Sequence, residues 1–207
     1  MPKPHLLIDC DGTCYPWITD FNGRFKQALQ QTARDRGISS ETYEMISHRV
    51  RGKRLGMMNF ILALCQGDLK QFDTFTRAWC DQLDYTLIQP DPDLQQAFQE
   101  TPLPYYILTN NCRTHLDRVW NRLFPDHSFS IPALSIEDTY QDGWFHPKQD
   151  PLGFFLACQK CQWDPTTVTI LDDSAPILEI AARQGFQTRR VTSQYPLSRH
   201  LRELTRD

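Results

Sequence analysis

Leu6-Leu7-Ile8-Asp9-Cys10-Asp11-Gly12-Thr13 is the stretch whose reading decides the fold. Three consecutive apolar residues form a short strand, and a carboxylate follows at once. Asp11-Gly12 is a turn pair, so the chain reverses just past the strand end and leaves two acidic side chains there. Two other short apolar runs end in the same way. Tyr105-Tyr106-Ile107-Leu108, preceded by Pro104, ends on Thr109-Asn110, and the β-branched run 167–171 ends on Asp172-Asp173.

Helical patterns separate these runs. From residue 91 onward the pattern predicts helices over 94–98, 114–123, 151–163, 175–184 and 197–204, with Pro151 near the first turn of its helix and Gly185 ending another. An extended segment over 129–136, interrupted by Pro132, and a last strand over 188–191 complete the alternation. Strand-helix alternation of this kind predicts an α/β fold, a doubly wound, mostly parallel sheet with helices on both faces.

The stretch 15–90 breaks the alternation. Phe21, Phe25 and Leu29 repeat every fourth residue, Leu55, Met58, Leu62 and Cys65 form a second stripe, and Phe72, Phe75, Trp79 and Leu83 a third. Gly37, Gly52 and Gly67 punctuate the runs, and Ser39-Ser40-Glu41-Thr42 offers an N-cap. Three or four short helices are expected here. They are inserted after the first strand as a cap, so the core comprises 1–14 and 91–207 and the cap 15–90.

In doubly wound sheets ligands bind beyond the carboxyl ends of the strands. If the three strands are parallel neighbours, Asp9, Asp172 and Asp173 meet at one edge with Thr109, and Asp11 lies in the same loop. Carboxylates so crowded repel one another, and a divalent cation relieves the repulsion. All-oxygen ligands with positions left for water and phosphate suit Mg2+. A carboxylate nucleophile beside magnesium then points to phosphoryl transfer through an aspartyl phosphate. Thr109 and the Asn110 backbone can supply donors to the transferring group, and Lys148, just before a helix, is the best-placed cation.

At this point the chain resembles a known group. Asp9-x-Asp11-x-Thr13 after an apolar strand, Thr109, Lys148 and Asp172-Asp173 are similar to the four motifs of the haloacid dehalogenase-like (HAD) superfamily, in the right order and at spacings of 100, 39 and 24 residues. The resemblance implies a Rossmann-like core. It implies Asp9 as nucleophile and metal ligand, and Asp11 as general acid/base with its backbone carbonyl on the metal. Thr109 would hold the phosphoryl group, Lys148 would neutralise charge between Asp9 and the phosphate, and Asp172 and Asp173 would place the magnesium. A carboxylate at position 11 favours phosphate transfer over carbon-halogen cleavage, because the dehalogenases of this group lack it. Thr109-Asn110-Asn111 with His115, Arg118 and Val119, Lys148-x-Asp150 with Phe154, Leu171-Asp172-Asp173-Ser174 and the inserted helices resemble the pyrimidine 5'-nucleotidase-like branch. Two positions differ from it: Ile177 stands where that branch often has Asn, and Arg51-Gly52 where it often has Tyr-Gly.

The expected function is hydrolysis of a small phosphate monoester, a nucleoside monophosphate being one candidate. A phosphomutase of the same fold and a catalytically weak binding or regulatory domain are the alternatives. The 207 residues, 40% of them hydrophobic, can fill one core plus a small accessory domain. A net charge of −3 argues against a nucleic-acid partner. No apolar stretch approaches the ~18 residues of a membrane span, and the apolar run after His5 is too short for a signal peptide, so a cytoplasmic location is expected. Seven cysteines without such a signal read as free thiols. Cys158 and Cys161 lack a second pair for zinc and read as part of an apolar helix. His48, Arg49, Arg51, Lys53 and Arg54 form a basic run, read as a solvated helix face or as an anion reader over the site. Tyr15 and Trp17 read as hinge packing or as a stacking surface, and His115 as a residue lining the helix after the second motif.

Overall fold

The computed structural model describes residues 4–51, 56–126 and 131–206, with the backbone alone at 51 and 206. The expectations placed on Gly52, Lys53, Arg54, Leu55 and the Arg51 side chain lie outside the described residues, as do 129 and 130 of the predicted extended segment.

The first strand, β1 (His5–Ile8), is followed by helices α1 (Thr19–Asn22), α2 (Phe25–Asp35), α3 (Ser40–Arg51), α4 (Gly56–Leu64) and α5 (Leu69–Asp81). Then come α6 (Pro92–Glu100), β2 (Tyr105–Leu108), α7 (Arg113–Leu123), β3 (Ala133–Leu134), and a hairpin of β4 (Tyr140–Gln141) and β5 (Trp144–Phe145). The chain ends with α8 (Pro151–Cys161), β6 (Val168–Asp172), α9 (Ala175–Arg183), β7 (Gln187–Arg190) and α10 (Leu197–Arg206).

Five strands form one sheet in the order β3-β2-β1-β6-β7, and every pairing in it is parallel. Ile8 lies opposite Ile107 on one side and Leu171 on the other, so β1, β2 and β6 end level with one another. Side chains alternate between the faces. Leu6, Ile8, Ile107 and Leu171 join the core under α6, α7 and α10, whereas Leu7, Leu108 and Ile170 pack on Phe154 of α8 and on Ile177, Leu178 and Ala181 of α9. Because β1 is covered on both faces, its apolar run is continuous and not alternating. The strand order reverses between β1 and β6, where a crevice opens in such sheets. Among the described residues no helix is long and apolar enough to cross a membrane.

Three expectations need correction. The stripe Phe21-Phe25-Leu29 is not one helix, because the chain breaks at Gly23-Arg24 between α1 and α2. The Phe21 and Phe25 rings then meet edge-on, 5.4 Å between centroids, across that break. Among the described residues, five α-helical segments lie between β1 and residue 90, not three or four. Of the extended 129–136 segment, β3 has two residues, and the Asp138 carboxylate accepts from Ser135 N (2.9 Å) to start a helical turn in its place. The hairpin β4–β5 was not expected from the sequence, although Asp142-Gly143, with φ of 52° and 86°, is a two-residue turn in its preferred chemistry.

Asn59 ties the helical stretch to that hairpin. Its Nδ2 donates to Phe145 O (2.8 Å), and Phe145 N donates to its Oδ1 (2.9 Å), all within a buried contact. Asn59→Leu leaves both backbone groups buried without a partner. We expect a loss of about 2–4 kcal/mol in urea unfolding, whereas Asn at the exposed Gln66 position should change stability little.

Candidate active site

The level ends of β1, β2 and β6 bring the predicted residues together. Asp9 follows β1 directly and is 7% exposed; Asp172 closes β6 and is 1% exposed. Thr13 joins the two loops: its hydroxyl donates to Asp9 Oδ2 (3.0 Å) and accepts from the Asp173 amide (3.0 Å). Gly12, at φ +90°, makes this close approach feasible, since a Cβ there would lie 2.6 Å from Asp173 Oδ2.

Lys148 completes the group. Its ammonium donates to Asp9 Oδ1 and to Asp172 Oδ2, the latter at 2.7 Å. The side chain is buried, and its backbone N is held by Asn110 Oδ1 (2.8 Å) from the β2 end. Asp150 caps the following helix by accepting from Leu152 N (3.0 Å). Gly153 lets that helix sit against the Lys148 loop, because a Cβ would lie 2.6 Å from His146 O. Burial pushes the Asp9 carboxyl up to about 7, with Asp172 and Asp11 adding to the shift and Lys148 opposing it. Burial works against the Lys148 charge, but Asp9 and Asp172 outweigh it and hold the ammonium above its ordinary range.

Asp11, two residues on, has the opposite environment. Its Oδ1 accepts from Tyr15 OH (2.5 Å) and faces His115 Nε2 (2.8 Å), and its Oδ2 accepts from Asn111 Nδ2 (2.8 Å) and Thr109 Oγ1 (3.2 Å). Burial would raise this carboxyl, but His115, Tyr15 and Asn111 outweigh it and hold Asp11 well below the usual carboxylate range. The Thr109 hydroxyl also accepts from the Asn111 amide (3.0 Å), which turns the β2 end into the loop.

Oxygens of Asp9, Asp172 and Asp173 all lie within 4.8 Å of one another. Burial raises the Asp173 carboxyl above its ordinary range, and Asp172 adds to this. A single ammonium thus faces three carboxylates. An all-oxygen, under-neutralised set of this kind fits a hard divalent cation such as Mg2+. The three aspartates open onto a cavity of about 420 Å³ that also receives Asp11, Asn110, Asn111, Lys148 and Ser174.

Of the residues singled out in the sequence, Asp9, Asp11, Asn110, Lys148, Asp172 and Asp173 line this cavity; Thr109 is buried beside it against Asp11. Ile177 is also in the wall. His48 and Arg49 are exposed, as a solvated helix face requires. Cys158 and Cys161 lie in α8 as free thiols. Sequence reasoning gave no catalytic role to Thr13, Asn111 or His115, and offered Tyr15 as hinge packing or a stacking surface, not as a partner of Asp11. Thr13 and Asn111 sit inside the quoted motifs, so their position was a usable signal. The Tyr15 contact is local, four residues from Asp11 in the same loop, whereas that of His115, 104 residues away, depends on tertiary packing.

A family described as haloacid dehalogenase-like hydrolase matches residues 4–185, and the chain belongs to it. No curated protein sequence matches the chain. Among solved structures, CbbY from Rhodobacter sphaeroides in complex with phosphate superposes with a TM-score of 0.58 at 15% identity, covering 94% of this chain and 88% of that one. A hydrolase from Pseudomonas syringae gives 0.57 at 15% identity, covering 98% and 90%. L-2-haloacid dehalogenase from Xanthobacter autotrophicus gives 0.52 at 20% identity, covering 98% and 83%. At these identities the likeness is one of fold.

Lys148→Met leaves the buried carboxylates without their ammonium. It should destabilise the metal-free protein by about 3–5 kcal/mol. Magnesium at millimolar concentration should raise the melting temperature of this variant more than that of the wild type, in parallel calorimetric scans.

Proposed function

We propose that this hydrolase is a magnesium-dependent phosphatase that cleaves a small phosphate monoester through a phosphorylated Asp9. The observation that carries the reading is the pairing of two carboxylates in one cavity with opposite environments, Asp9 against an ammonium and Asp11 among neutral donors and His115. Asp9 and Lys148 alone would serve a dehalogenase as well; a carboxylate at position 11 supplies the proton transfers that phosphate chemistry needs.

Asp9 attacks phosphorus, and the bond to the leaving oxygen breaks. Asp11 takes up a proton that the phosphate monoester brings as its monoanion, passes it to that oxygen, then takes one from the water that attacks the aspartyl phosphate. Lys148 and Thr109 neutralise or hold the phosphoryl oxygens, with the Asn110 amide. Asp9, Asp172, Asp173 and the Asp11 carbonyl would hold the magnesium, which when bound neutralises charge on the transferring group. We assign the stretch 15–90 the part of a cap over the sheet edge, which admits a small molecule and no nucleic acid. A second cavity of about 630 Å³, sharing Trp17, Phe25, Met57 and Gln149 with the first, supports a leaving group with an apolar face. Trp17, 61% exposed, offers a ring for stacking. A nucleoside monophosphate, as in the pyrimidine 5'-nucleotidase-like branch, meets this description.

The test is phosphate release from p-nitrophenyl phosphate and a panel of esters. We expect release that stops when magnesium is chelated, falls by about a thousandfold or more in Asp9→Asn, and falls by about a hundredfold in Asp11→Asn. Activity indifferent to chelation or to Asp9→Asn would overturn the reading.

A further inference from the structure

His115 lies in α7, in the region that follows Thr109, and is fully buried. Its Nε2 faces Asp11 Oδ1 at 2.8 Å, and its Nδ1 faces the Tyr85 hydroxyl at 2.9 Å. Asp11 is a carboxylate and only accepts, so Nε2 carries the hydrogen. Burial holds the Tyr85 phenol far above its ordinary range, so its hydroxyl keeps its hydrogen and can donate to Nδ1. The hydroxyl can also accept, so the Nδ1 contact does not depend on which ring nitrogens carry hydrogen.

The ring is also held in place by packing. Phe21 and Trp79 stack on it, with centroids at 6.1 and 5.9 Å and interplanar angles of 22° and 28°. Phe25 meets it edge-on at 5.5 Å. A histidine in so apolar a box needs both nitrogens satisfied, which Asp11 and Tyr85 do. The remaining Oδ1 partner of Asp11, Tyr15, has its hydroxyl within 3.5 Å of Asn22 Nδ2, so the whole Oδ1 side is anchored to residues of the inserted helical stretch.

We propose that His115 is a positioning residue for Asp11. It fixes the orientation of the carboxylate that serves the leaving oxygen, and Tyr85 fixes the orientation of His115. This rests on the phosphatase reading above, in which Asp11 moves the proton. A histidine that merely filled the core would affect all substrates alike. A positioning residue affects most the esters whose leaving group needs a proton.

The experiment compares p-nitrophenyl phosphate, whose phenolate leaves unaided, with benzyl phosphate, whose alkoxide does not. The quantity read is kcat/KM, which reports the steps up to departure of the alcohol. His115→Leu should lower it about tenfold or more on benzyl phosphate and less than about threefold on p-nitrophenyl phosphate. His115→Gln, whose amide nitrogen can reach toward Asp11, should recover most of the benzyl phosphate activity. Tyr85→Phe, which keeps the ring, should show the same selectivity to a smaller degree. Equal losses on both esters, no loss on either, or no recovery by glutamine overturns the proposal. If His115→Leu does not fold, Tyr85→Phe decides alone: selective loss supports the proposal, and equal or no loss overturns it. A wild type that releases no phosphate from either ester overturns the phosphatase reading, and this inference with it. A wild type active on both, with variants that do not discriminate, overturns this inference only.

Discussion

The Lys148 ammonium lies between Asp9 and Asp172, and much of the molecule is arranged to keep it there. Three carboxylates within 4.8 Å would repel pairwise by roughly 3–4 kcal/mol at an effective dielectric constant of about 20. The ends of β1 and β6 cannot avoid this crowding, because parallel pairing makes Ile8 and Leu171 neighbours and so places the next residues side by side. Lys148 offsets part of the repulsion. It can do so because the loop before α8 is pinned to the β2 end through Asn110, and because Gly153 lets the helix close against that loop. Among the described residues the incomplete neutralisation that remains would suit a cation.

Asp9 and Asp11 are two residues apart, yet they occupy different chemical worlds. The first faces an ammonium and other carboxylates across a strand end. The second points away from them into a set of donors drawn from three places: Tyr15 just beyond the turn, Thr109 and Asn111 after β2, and His115 within α7. The turn at Gly12 produces the division.

The centre of the sheet was legible because β1, β2 and β6 are short apolar runs that end at a polar residue. Asp9, Thr109 and Asp172 are readable for the same reason: a strand end in a doubly wound sheet has a fixed destination. Other features were not carried by local pattern. The α1–α2 break sits inside a clean four-residue repeat, since Phe21 and Phe25 both reach the same cluster from different helices. The β4–β5 hairpin had its turn signal in Asp142-Gly143, but with two residues to a strand there was no alternation to support it. His115 read as a residue lining the helix after the second motif, because its role depends on Tyr85 and Asp11, 30 and 104 residues away in sequence.

This difference in legibility follows the division of labour in the site. Groups that would act on a phosphoryl group sit on strand ends, where the backbone fixes them and the sequence announces them. Groups that would distinguish one alcohol from another line the second cavity, among them Phe25, Tyr43, Met57 and Phe60 of the helices and Trp17 of the loop before them. Those side chains are aromatic or apolar and read as ordinary packing until the folded chain brings them together around one cavity. Reaction class is therefore written in short motifs, whereas substrate choice is written in the surfaces that tertiary packing brings together. Asp11 stands where the two meet, since Tyr15 and, through His115, Tyr85 connect it to the inserted helices while Asn111 and Thr109 hold it to the sheet.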